Sequence, residues 1–99
     1  MQPFSTEQAM NSQQLTELLL QSLEHERGGV KVYQIAIECA QREDLGREWK
    51  KYLSQTEEHV ATLTRVCKVF EIDPFTMTPG TQIVKALGAS LIQAMQAAL

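Results

Sequence analysis

From Leu19 onward the apolar and small positions fall at Leu19, Leu23, Gly29/Val30, Tyr33, Ile37 and Ala40, alternating steps of four and three residues that trace one face of a long helix. A second run repeats the pattern at Trp49, Leu53, Thr56, Val60, Leu63, Cys67 and Phe70, with Tyr52 and Val66 widening the stripe. The spacing predicts helices over residues 15–42 and 45–71. Asn11 and Gln14 have the separation of a capping box ahead of the first, and Asp73-Pro74 blocks continuation of the second. The polar stretch Arg42 to Gly46 separates them. Each helix would be roughly 40 Å long, and so short a connection makes them antiparallel neighbours.

Thr78-Pro79 reads as an N-cap followed by a first-turn proline, which starts a third helix over residues 79–99. From Pro74 onward the only charged side chain is Lys85. Ile83, Val84, Leu87, Leu91, Ile92 and Met95 are too few, and too interrupted by Lys85, Ser90, Gln93 and Gln96, for a membrane span. No basic face is present for lying on a membrane surface. Burial against other helices remains, in this chain or in a second one. The helical pattern still runs at Ala97-Ala98-Leu99. The expectation is therefore a single all-α domain over residues 1–99, with a polar segment over 1–14. Its four-helix bundle is completed either by a missing C-terminal helix or by a second copy, so a homo-oligomer is expected, most simply a dimer.

Composition narrows the function classes. A net charge of -3, with basic residues interleaved among acids, argues against nucleic acid as a partner. The first 14 residues lack the basic and apolar regions of a secretory signal, and a cytoplasmic location is expected. Cys39 and Cys67 have no metal-pair spacing, and the hairpin holds them too far apart for a disulfide, so both read as reduced. No phosphate loop, dinucleotide fingerprint or nucleophile with a base appears, and no organic cofactor is indicated.

The position with chemical content is Glu26, which fills the step between Leu23 and Val30 in the apolar seam. A carboxylate pointing inward must be protonated, meet a cation or hydrogen-bond donors, or bind a metal. With the turn between Arg42 and Leu45, residues whose numbers sum to about 87 lie level, so His59 falls roughly 3 Å along the axis from the level of Glu26. Gly28-Gly29, each costing about 1 kcal/mol against alanine within a helix, create space at the same level, for another helix or for an ion or water.

Glu26 followed by Tyr33 resembles the Glu/Tyr pair on the first helix of ferritin-like di-iron proteins. Thr56-Glu57-Glu58-His59 is similar to the Glu-x-x-His motif of their second helix. The resemblance covers roughly Leu15 to Phe70 and departs from the pattern at Thr56, where the bridging glutamate would stand. It implies a ferritin-like protein binding iron, manganese or zinc through Glu26 and His59, with iron handling or redox chemistry. Half-size members that build the site across a dimer imply two copies of each ligand. Beside this stands a second reading, a metal-free helical interaction module in which Arg27, Lys31 or Arg65 pairs with Glu26. His25 is an outlying ligand candidate, while Glu24, Glu57 and Glu58 read as solvated and Trp49 and Tyr52 as core at the hairpin end. Whether the chain is an enzyme is left open.

Overall fold

The computed structural model describes residues 11–98, and these form three helices, α1 (Ser12–Cys39), α2 (Glu43–Val69) and α3 (Pro79–Ala97), with no strand among them. The predicted capping box closes the start of α1. The Gln14 amide donates to Asn11 Oδ1 at 2.8 Å and the Asn11 amide to Gln14 Oε1 at 3.0 Å. The Thr78 box at the start of α3 uses Thr81 as its reciprocal partner, with Pro79 in the first turn as expected. There the Thr81 amide donates to Thr78 Oγ1 at 3.1 Å and the Thr78 amide to Thr81 Oγ1 at 2.8 Å.

The turn falls earlier than predicted: α1 runs from Ser12 to Cys39 rather than over 15–42, and α2 starts at Glu43 rather than Leu45, leaving residues 40–42 between them. Ala40 and Arg42 are extended and α2 begins at Glu43, because Glu43 and Asp44 belong to its first turn, where carboxylates face unsatisfied amides and the positive end of the helix dipole. Asp44 also holds Arg42 through two contacts, at 2.7 and 3.1 Å. At the far end α2 stops at Val69, two residues before the predicted end. Glu71 adopts a left-handed conformation (φ 57), and the Ile72 amide reaches back to the Cys67 carbonyl at 2.8 Å. This reversal turns Ile72 inward and leaves Phe70, predicted for the seam, 52% exposed.

α1 is the shared wall of the fold. It packs against α2 and against α3, while no Cα of α2 comes within 8 Å of a Cα of α3. Leu19, Leu23 and Cys67 are buried between α1 and α2, with Leu15, Val60, Leu63, Val66 and Ile72 packed around them. The core therefore sits toward the open end of the hairpin. Nearer the turn, Tyr33, Trp49 and Tyr52 form a triangle with ring centroids 5.9 to 6.2 Å apart. The loop between α2 and α3 is fastened to α1 by Arg27, which donates to the Pro74 carbonyl at 3.1 Å and lies 4.4 Å from the centre of the Phe75 ring. No helix among the described residues is long and apolar enough to cross a membrane.

Candidate metal centre

Glu26 lies in the middle of α1, and its side chain is 26% exposed. Across the hairpin, His59 brings Nδ1 to 3.5 Å from Glu26 Oε2. The levelling of the two helices read from the turn thus puts the carboxylate and the imidazole in contact. His59 is the more open of the two, with a side chain 62% exposed, as expected of a residue on the edge of the stripe. The separation is longer than a good hydrogen bond between nitrogen and oxygen.

Two glycines let the helices close around this pair. A β-carbon on Gly29 would stand 3.3 Å from Thr56 Cγ2, so α1 and α2 pack closely at Gly29. On the other side Gly88 of α3 lies over α1, since a β-carbon on Gly88 would stand 3.9 Å from the Gly28 Cα, whereas a β-carbon on Gly28 itself would meet nothing within 4 Å. Gly29 therefore serves the contact with α2, and Gly88 the contact with α3. Gly88 has no role in the sequence reading. The signal available for it was a glycine in mid-helix, which needs a packing reason to offset its conformational cost.

Thr56 explains the departure from the Glu-x-x-His pattern. It is buried, its Oγ1 donates to the Tyr52 carbonyl at 2.7 Å, and its methyl group meets Gly29. A glutamate there would have to displace α1. Glu57 and Glu58 do not take its place: both are exposed, and Glu57 borders a different hollow, beside Pro74 and Phe75.

Because α2 and α3 stand apart, the Glu26–His59 pair opens into a groove of about 970 Å³. Its walls include Tyr33 and Tyr52 on one side and Leu87 and Leu91 on the other, with Lys31 and Lys85 also bordering it. His25 borders the groove without joining the pair. None of the three bases considered for Glu26 forms its ion pair. Arg27 sits 3.8 Å from Glu24, Arg65 donates to Thr62 Oγ1 at 3.1 Å, and Lys31 makes no ion pair among the described residues. No group of three or more His, Cys, Asp or Glu side chains gathers among the described residues, so one chain brings two donors together.

The remaining titratable groups have local causes. A hydrogen bond to Glu48, and the charge of that carboxylate, push the Tyr52 phenol up. Burial pushes the Cys67 thiol up, with Arg27 pulling the other way. Both cysteines are free, as expected, Cys67 buried and Cys39 partly so. Comparison of the chain with protein families, with curated sequences and with solved structures finds no match.

Proposed function

We propose that this chain is a ferritin-like protein that binds a transition-metal ion, iron, manganese or zinc, through Glu26 and His59, with iron handling or redox chemistry as its role. The observation that carries the reading is the 3.5 Å separation between Glu26 Oε2 and His59 Nδ1. Two donors each about 2.0 to 2.1 Å from one ion in tetrahedral geometry lie roughly 3.4 Å apart. The pair is too wide for a strong hydrogen bond and close to the edge of such a coordination shell. A neutral imidazole and a carboxylate are a donor set that all three metals accept. The groove leaves room for water or for donors of a second chain to complete it.

A second reading, a metal-free interaction module, draws on one observation of its own. Ile83, Leu87 and Leu91 are 63%, 67% and 50% exposed on a helix with a single charge. The two readings part at Glu26→Ala. On the metal reading, elemental analysis of wild-type protein prepared without chelator returns about half or one equivalent of metal per chain. Glu26→Ala and His59→Ala lose it while keeping their helical circular dichroism. Wild-type protein that stays metal-free after incubation with iron, manganese and zinc sinks the metal reading.

A further inference from the structure

The hollow beside Pro74 and Phe75 has a volume of about 620 Å³, within the range of small-molecule sites. α1 lines it with Leu20, Glu24, Arg27, Lys31 and Gln34, which recur at steps of four and three along one stripe. At 3.6 residues per turn that stripe is centred roughly 150° around α1 from Glu26, Gly29 and Tyr33. The hollow therefore opens on the side of α1 away from the Glu26–His59 pair. Lys31 and Lys85 stand where α3 parts the two hollows and border both.

Its two ends differ in chemistry. At one end the buried Leu20 is the floor, and Phe75 and Met77 stay exposed although both are large and apolar. Met77 is held at this level because the next residue, Thr78, donates its hydroxyl to Glu17 Oε2 at 3.2 Å. The other end holds Lys31 from α1 and Glu57 from α2. From the level of Leu20 to that of Lys31 is about 16 Å at 1.5 Å per residue. α3 runs parallel to α1, since β-carbons on Gly80 and Gly88 would meet Gln21 and Gly28 in turn. In that register Lys85 is roughly 9 Å below Lys31 along the axis, so two long side chains can close on one small group.

The charges of the hollow do not cancel. Arg27 sits 3.8 Å from Glu24 and donates to the Pro74 carbonyl. Lys31 and Lys85 form no ion pair among the described residues. Glu57, the other acid on the wall, offsets one of them and leaves one positive charge beside an apolar bed. Such a site is complementary to a molecule with one negative charge at the end of an apolar body.

We propose that this hollow binds an amphiphilic monocarboxylate. Its carboxylate lies between Lys31 and Lys85, and its chain runs down α1 onto Leu20, against Phe75 and Met77. Burial of the chain supplies most of the affinity, and the lysines fix its direction and the sign of its charge. The site does not depend on the metal reading.

Calorimetric titration of metal-free wild-type protein with dodecanoate, below its micelle concentration, tests the proposal. Saturation at one molecule per chain is expected, with dodecyltrimethylammonium, the same chain bearing the opposite charge, binding far more weakly. Replacing both exposed lysines, as Lys31→Gln with Lys85→Gln, should weaken dodecanoate about tenfold, the loss of one charge-assisted hydrogen bond. Phe75→Ser should weaken it too, whereas Leu87→Ser, in the larger groove, should not. No saturable binding, or equal affinity in the double lysine variant, overturns the proposal. So does binding that Leu87→Ser abolishes and Phe75→Ser spares, which places the chain in the larger groove. Should the lysine variant lose its helices, Glu57→Gln decides: tighter binding supports the site, and unchanged affinity overturns it.

Discussion

Gly28 and Gly29 are adjacent and both lie in mid-helix, yet replacing each with alanine should have opposite effects. Either substitution recovers about 1 kcal/mol of helix propensity. At Gly28 the new methyl group meets nothing within 4 Å, so the gain is kept, and a domain of this size should melt about 4 to 8 °C higher. At Gly29 the methyl group arrives 3.3 Å from Thr56 Cγ2. Thr56 cannot turn aside, because it is β-branched and its hydroxyl is committed to the Tyr52 carbonyl at 2.7 Å. Overpacking of this kind costs about 1 to 3 kcal/mol, so Gly29→Ala should be neutral or destabilising by up to about 2 kcal/mol. Thermal and urea unfolding followed by circular dichroism, at fixed protein concentration without metal, measures both. Thr56→Ser removes the opposing methyl group and should restore the gain, giving a coupling of about 1 to 3 kcal/mol in the double-mutant cycle. If Gly29→Ala raises the melting temperature as much as Gly28→Ala, or the cycle shows no coupling, the α1–α2 contact described here is wrong.

Further outcomes follow from other parts of the fold. Leu23 is fully buried, and Leu23→Ala should cost about 3 to 4 kcal/mol by urea unfolding, a large share of the stability of so small a domain. Arg27→Ala removes the contact with Phe75 and the hydrogen bond to Pro74, and should cost about 1 to 2 kcal/mol, with Arg27→Lys recovering only part because it lacks the planar fork. Burial raises the Cys67 thiol in the folded chain against a slight opposing effect of Arg27, so the unfolded chain loses that proton first. The contribution is whole below the ordinary thiol value and is lost as pH rises through the raised folded value. Urea midpoints measured from neutral to alkaline pH should therefore fall more steeply for wild type than for Cys67→Ala. A thiol reagent at neutral pH should label Cys39 well before Cys67, and equal rates would contradict the burial.

The helices were legible in the sequence wherever a local pattern decides them. The seven-residue alternation of α1 and α2 and the Asn11 and Thr78-Pro79 caps each depend on residues within one or two turns. The Glu26–His59 contact was legible too, because a short turn converts residue numbers into heights. What was not legible depended on the third dimension. The acids Glu43 and Asp44 read as an interruption, though a helix start favours the same residues. Phe70 continued the stripe on paper, but the left-handed Glu71 brings Ile72 into the core instead. The triangle of Tyr33 with Trp49 and Tyr52, and the crossing of Gly28 by Gly88, join residues whose relation only the packed helices define. The place of Thr56 in the motif was visible, whereas the reason for it, its fit against Gly29, was not.

The separation of the α2 and α3 backbones has a consequence for how the chain comes apart. With α1 as their only common neighbour, α3 can detach without disturbing the Leu19–Leu23–Cys67 core, whereas loss of α1 releases everything. Hydrogen exchange should then show two tiers, with amides of α3 opening at low free energy and those in the middle of α1 and α2 opening only with the whole chain. Such a chain behaves as a stable hairpin carrying a detachable arm, and any partner that grips the arm also sets how long it stays attached.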